Sequence, residues 1–333
     1  KNYKITLISA DISKKKKFHT SIKFIHPKYI NFENAGRYKK YFFCSLLLAK
    51  QLITNKSSLV FSFQANIYSI IITKLLLKKI IVRLNTAPQG WDHNFLKNKI
   101  YKFFIQKADS IIVNSKKFKD EVERRYKINS HLILNPFDFN EIKKKSKQKK
   151  NIKFFKKRDL KIINVARLTS QKDHLTLLKA VNIVKKFRNI QLIIIGKGIC
   201  KNKILEFINE NNLCKNVKLI GFKENPFKYI AKCDVFVLTS IFEGHPNVLV
   251  ETLSLKKFVI SSNCPTGPEE ILNNGKYGDL FKPKDFKKLA KLLIKFKYNY
   301  INKKKVINGY KSLRIYDHKK QCKKYLDVIE NNN

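Results

Sequence analysis

The chain has 333 residues, 44% hydrophobic and 12% aromatic, which is enough to fill the interiors of two ordinary domains. It carries 71 Lys+Arg against 24 Asp+Glu, a formal charge of +47. A field of that size attracts anions, whether nucleic acid, acidic lipid head groups or phosphorylated substrates. An AT-rich genome writes the same excess of Lys, Ile and Asn into its proteins, so charge alone selects no partner. The composition excludes a disordered chain. No apolar run reaches the length of about 18 residues that a spanning helix needs; Ile67–Val82 is cut by Lys74, Lys78 and Lys79. The six cysteines lie far apart without a C-x-x-C pair and read as buried thiols of a reducing compartment. The strand-like opening Tyr3–Ser9 reads as no secretory signal.

In chain order, β-rich runs alternate with helical patterns, the signature of parallel sheets wrapped by helices. The first half predicts strands at Ile5–Ser9, Leu59–Ser62, Ile80–Leu84, Ser110–Val113 and Leu132–Leu134, with helices at Tyr41–Ile53 and Lys116–Tyr126. The Lys-rich stretch from Glu141 to Arg158 lacks apolar periodicity and predicts an exposed connection. The domain boundary is placed there, giving domains 1–150 and 151–312 and a C-terminal helix within 313–333 that packs back toward the first.

The second half predicts strands at Ile162–Ala166, Gln191–Ile195, Val217–Ile220, Val235–Leu238 and Phe258–Ser261. Helices are expected at Leu175–Phe187, Lys203–Asn212, Pro226–Ala231, around 246–255, and from Phe286 onward. Two doubly wound α/β units place a ligand cleft at the carboxyl ends of their strands.

One segment carries the chemistry. The strand ending at Ser240 runs into Glu243-Gly-His-Pro-Asn-Val-Leu-Val-Glu251. Pro246 suits the first helical position, where its missing N–H costs nothing. The exposed N–H groups of that first turn, with the helix dipole, form a site for a phosphate or diphosphate. Glu243, just before the helix, can accept from sugar hydroxyls, and Glu251 from a vicinal ribose diol. Two Glu eight apart prove little; strand, Glu-Gly, Pro, Asn and then Glu on the helix together carry the signal.

The Glu243-x7-Glu251 spacing resembles the signature of glycosyltransferase family 4, retaining enzymes of the GT-B fold. Ser261–Leu272 looks like the corresponding segment of bacterial amino-sugar and surface-polysaccharide members. Asn164-Val-Ala-Arg167-Leu-Thr-Ser-Gln-Lys172 resembles the turn in which an Arg and a Lys grip the donor diphosphate; cations there stabilise the departing nucleoside diphosphate. The resemblance implies catalytic roles for Arg167, Lys172 and Glu243. Donor contacts would come from Glu251, Gly244, His245, Pro246, Asn247 and Val248, with Gly196 near the nucleotide and Phe222 near the base. On the acceptor side it points to Asn85, where many relatives carry a His, and to Ser115. Lys256-Lys257-Phe258 stands where the family usually has Gly-x-Pro. Tyr3–Ser9 matches the family's second strand, implying that the first strand, its glycine-rich turn and the first helix are missing.

The implied function is retaining transfer of a sugar from a nucleotide sugar, expected to be UDP-linked, to a lipid-linked or surface-glycan acceptor. No Asp-x-Asp pair occurs and the seven His show no metal spacing, so neither a metal nor another cofactor is expected. The partners expected are the nucleotide sugar, the acceptor and an anionic membrane surface, with the protein peripheral at the inner face of the cell membrane. Nucleic acid is not expected, because the basic residues are spread out and form no recognised motif. A silent GT-B fragment, a GT-B sugar-nucleotide epimerase and a basic nucleic-acid-binding protein stand as alternatives. Trp91, after Pro88-Gln-Gly90, reads as a buried ring or as an acceptor or membrane contact.

Overall fold

A computed structural model describes residues 3–12, 15, 18–27, 35–55, 57–85, 95–148 and 152–332. Thr86 and Trp91 lie outside the described residues. The chain divides into two units, Lys1–Val113 with Lys119–Leu132 and Tyr325–Asn333, and Asn114–Phe118 with Ile133–Lys324.

In the first unit, strands β1 (Thr6–Ile8) and β2 (Lys23–Ile25) pair in parallel as a sheet of their own. Helix α1 (Arg37–Thr54) leads to β3 (Val60–Ser62), α2 (Asn66–Leu75), β4 (Ile80–Arg83), α3 (Phe95–Ile105), β5 (Ser110–Val113), α4 (Lys116–Tyr126) and β6 (His131–Leu132). Strands β3 to β6 form a parallel sheet in sequence order. Its centre is Ile80, Ile81 and Val82 of β4, all fully buried as expected of a strand covered on both faces.

The predicted exposed connection instead begins with helix α5, Phe139–Ser146. The side chain of Asp138 caps it, accepting from the N–H groups of Asn140 and Glu141, and Ile142 is buried. One cap and one apolar anchor order a stretch whose Lys content masks any periodicity.

The second unit continues with β7 (Leu160–Val165), a 3-10 turn at Ser170–Lys172, α6 (His174–Val184), β8 (Ile190–Ile195), α7 (Lys201–Glu210), β9 (Val217–Leu219) and α8 (Phe227–Ile230). It goes on through β10 (Val235–Leu238), α9 (Asn247–Ser254), β11 (Phe258–Ser262), α10 (Pro268–Ile271), β12 (Asp279–Phe281), α11 (Phe286–Lys295), α12 (Tyr300–Ser312) and the start of α13 (His318–Glu330), whose residues from Tyr325 are counted with the first unit. The six-stranded sheet has the order β12-β11-β10-β7-β8-β9, and every pairing in it is parallel. Every residue of β8 and β10 is buried. The chain winds outward from β7 through β8 to β9, then returns to β10 on the other side of β7. The strand order therefore reverses between β7 and β10, and the carboxyl ends of those two strands flank the crevice where doubly wound sheets bind ligands.

Helix α9 begins at Asn247, and Pro246 is its N-cap with extended backbone, not its first helical residue. At the other end the helix closes with the two bonds of a Schellman motif, Lys256 N–H to Leu253 O at 2.9 Å and Lys257 N–H to Thr252 O at 3.3 Å. That motif needs a left-handed residue, usually glycine; here Lys256 adopts φ 55°. Its ammonium lies 4.7 Å from the centroid of Tyr310 and returns part of the strain. Lys256→Gly is expected to raise unfolding stability by about 0.5 kcal/mol, the relief of left-handed strain less the lost ring contact. Lys256→Ala, which keeps the Cβ and loses the ring contact, lowers it. Denaturant titration of the two variants separates the terms.

Candidate active site

Arg167 and Lys172 follow β7, and Glu243 follows β10, so the three side chains come from the two strands that flank the switch point. Three bonds stitch the turns together. Ile241 N–H donates to Gln171 O at 2.8 Å, Gln171 Nε2 to Phe242 O at 2.8 Å, and Thr239 Oγ1 to Lys172 O at 2.9 Å. Asp173, left-handed at φ 43°, caps α6 by accepting from the Thr176 N–H, which fixes the backbone next to Lys172.

Glu243 is buried and paired with Lys172. Its Oε1 accepts from Lys172 Nζ and from Ser240 Oγ, the latter at 2.5 Å. Both donors converge on one oxygen, and no described residue bonds Oε2. One oxygen is held and the other is left for a hydroxyl. Thr266 Oγ1 donates to the Glu243 carbonyl and Ser262 Oγ to Ser240 O at 2.6 Å, so the loop after β11 clamps the loop after β10. Gly267 makes this possible: at φ 87°, a Cβ there would stand 2.5 Å from Pro246 Cδ. Arg167 is exposed and, among the described residues, its side chain makes one long bond, to Gln171 Oε1 at 3.3 Å, so its guanidinium can turn to an anion.

The turn after β8 interlocks with the turn after β7. Leu168 N–H donates to Lys197 O at 3.0 Å, and Cys200 N–H to Leu168 O at 2.9 Å. A Cβ on Gly196 would fall on the Ala166 carbonyl, so only glycine lets the two turns meet. Phe222, beyond β9, exposes its ring, with Lys197 Nζ 5.6 Å from the centroid.

No described side chain caps α9. His245, just before it, is buried with Nε2 3.3 Å from the Tyr316 hydroxyl and its ring 5.3 Å from that of Tyr316. Asn247 Oδ1 accepts from Asn135 Nδ2. Val248 sits in the first turn beside Gly244, His245 and Pro246 of the preceding loop. Glu251, on the second turn, forms no hydrogen bond through its carboxylate to any described residue. Burial alone pushes its carboxyl up from 4.5 to about 7.

The remaining two sequence candidates have occupations of their own. Asn85, in the first unit, donates from Nδ2 to Phe63 O at 2.9 Å. Ser115 is fully buried, and its Oγ accepts from Phe118 N–H at 3.2 Å, the cap of α4. Sequence reasoning missed Ser240, Thr266 and Tyr316. A hydroxyl three residues before Glu243 on the same loop is a legible signal for Ser240; Tyr316 lies 71 residues from His245, and nothing local marks it.

The family model for glycosyl transferases group 1 matches residues 145–312. The chain belongs to the group 1 glycosyl transferases, and its fold is that of GT-B glycosyltransferases. It is 33% identical over 265 residues to an uncharacterized glycosyltransferase of Methanocaldococcus jannaschii, a match covering 69% of this chain and 65% of that protein. It is 32% identical over 208 residues to the N-acetylgalactosamine-N,N'-diacetylbacillosaminyl-diphospho-undecaprenol 4-alpha-N-acetylgalactosaminyltransferase of Campylobacter jejuni, covering 60% of this chain and 55% of the relative. The matches thus span less than two thirds of both relatives. Among solved structures, Anabaena HepE in complex with UDP superposes with TM-score 0.79 at 15% identity, covering 98% of this chain and 92% of that one.

Proposed function

We propose that the chain is a retaining glycosyltransferase that moves a sugar from a UDP-linked donor to a lipid-linked or surface-glycan acceptor. The observation that carries this reading is the convergence of Arg167, Lys172 and Glu243 at the switch point of the second sheet. In this reading the diphosphate lies over the start of α9, where Arg167 and Lys172 neutralise the charge that builds as the nucleoside diphosphate departs. Glu243 Oε2 accepts from a donor-sugar hydroxyl, and Glu251 takes the two ribose hydroxyls that its buried carboxylate lacks. The base rests against Phe222. Chemistry proceeds without a metal, the two cations serving in its place. The diphospho-undecaprenol in the name of the Campylobacter jejuni relative supports a lipid-linked acceptor, and such an acceptor in turn supports a peripheral place on the membrane's inner face. Among the described residues no helix is long and apolar enough to cross a membrane.

Glu243→Gln tests the reading while keeping the size of a side chain wedged against Lys172 and Ser240. Transfer from UDP-sugars, followed by anomer-resolved product analysis, is expected to fall roughly 10- to 100-fold, the worth of one hydrogen bond to a charged group. Full activity in this variant would sink the assignment of Glu243. A donor screen by thermal shift provides the complementary arm, since a ligand at 100 times its Kd adds about 2.7 kcal/mol of stability.

A further inference from the structure

Tyr316 ends a 3-10 turn, Leu313–Tyr316, within the second unit, and it is buried. The chain holds it from several sides. The Phe137 N–H donates to Tyr316 O at 2.9 Å and the His318 N–H to Phe137 O at 3.2 Å, around the parallel bridge of Phe137 with Asp317. The Phe137 ring meets that of Tyr316 edge-on, 6.1 Å between centroids. Buried Gln321 ties the same two segments together, its Oε1 accepting from Leu134 N–H at 3.0 Å and its Nε2 donating to Ile315 O. A phenylalanine would pack here as well, so packing leaves the hydroxyl unexplained.

That hydroxyl lies 3.3 Å from His245 Nε2. Burial pushes its ionisation up, so it keeps its proton. On the other side of the imidazole, Nδ1 lies 3.4 Å from Asn247 Oδ1, which also accepts from Asn135 Nδ2. A carbonyl oxygen only accepts, so Nδ1 carries the proton of this bond, and in that tautomer Nε2 accepts from the Tyr316 O–H.

The consequence falls on Asn247. His245 and Asn135 both converge on its Oδ1, and no described residue bonds its Nδ2. Asn247 is exposed and opens α9, whose first-turn N–H groups no described side chain caps. With the carbonyl held inward, the amide NH2 joins those N–H groups as a further donor to an anion. Turned the other way, the same side chain would present an oxygen and repel it. We propose that Tyr316 is a positioning residue for the donor site: its hydroxyl orients His245, which with Asn135 turns the Asn247 amide so that Nδ2 meets the diphosphate. The role deepens the proposed function and rests on its donor site.

UDP binding by calorimetry and denaturant unfolding, both on the full chain, test it together. Tyr316→Phe is expected to weaken UDP binding about three- to tenfold, the worth of one neutral hydrogen bond, and to lower the unfolding midpoint. Asn247→Ala is expected to weaken UDP binding about tenfold or more, because it removes a donor to a charged group. Combining the two should cost no more affinity than Asn247→Ala alone, since Tyr316 acts through that amide. His245→Phe/Tyr316→Phe separates positioning from packing. The larger ring fills the space that the hydroxyl leaves, so the midpoint should return toward that of the parent, while UDP binding stays weak because Asn247 has lost the imidazole. Recovery of both would make Tyr316 a packing residue and overturn the proposal. Additive losses, or unchanged UDP affinity in Tyr316→Phe, would overturn it too. A parent that binds no UDP fails the donor site itself; a parent that binds UDP no better than Tyr316→Phe fails this role alone.

Discussion

Removing the Arg167 guanidinium is expected to lower kcat for sugar transfer about 100- to 1,000-fold, the range found when one preorganised transition-state donor is lost. The melting temperature should barely move, because Arg167 is exposed and its side-chain bond to Gln171, the one it makes among the described residues, is long. The effect belongs in kcat more than in KM. The leaving diphosphate carries more charge in the transition state than in the bound donor, so the cation is worth more there. Lys172→Met should lose activity to a similar degree, with a second signature. Its ammonium is the partner of buried Glu243, and removing it leaves a carboxylate that, among the described residues, Ser240 alone holds. A drop of about 3–5 kcal/mol in unfolding stability should accompany the loss of turnover. Stability lost in Lys172→Met and kept in Arg167→Ala separates positioning from collapse. Unchanged kcat in Arg167→Ala would remove it from the leaving-group site.

The second large effect concerns pH. Burial raises the Glu251 carboxyl from 4.5 to about 7, so the folded chain binds a proton there that the unfolded chain has already released. Stability from this group is complete below pH 4.5 and is lost as pH climbs through about 7. The loss is roughly 2–3 kcal/mol, trimmed from the full linkage value because the residue keeps some solvent contact. Glu251→Gln, with no proton to release, should flatten that part of the pH–stability curve and leave the variant more stable than the parent above pH 7. Donor binding should run the other way. Ribose hydroxyls donate to a carboxylate, so UDP affinity should rise from pH 5 to 7 in the parent and stay level and weak in Glu251→Gln. Calorimetry at three pH values in two buffers of different ionisation enthalpy would also count the proton released. A parent affinity independent of pH would show that Glu251 does not meet the donor.

Local pattern made much of the second unit legible. Strand Val235–Leu238 is where the apolar run places it, and helix α6 follows the apolar spacing of 177, 178, 181 and 184. The first unit was harder to read. Helix α2 overlaps the mostly apolar stretch Ile67–Val82, which Lys74, Lys78 and Lys79 interrupt without giving it a helical period, and β2 is only three residues long. Helix α5 hid behind its lysines, because its cap is one carboxylate and its buried face one isoleucine.

The sequence by itself determined the alternation of strand and helix, the family signature of Glu243 and Glu251, and which turns follow which strands. These depend on residue order and on periods of two and 3.6 along the chain. Only the tertiary structure decided that Lys172 and Glu243, 71 residues apart, form a pair whose second oxygen stays open. It alone decided that Glu251 is desolvated without a partner among the described residues, and that glycines 196 and 267 lock neighbouring turns together. Each of these is fixed by strand order, which brings distant turns to one edge of a sheet and which no local window of sequence records.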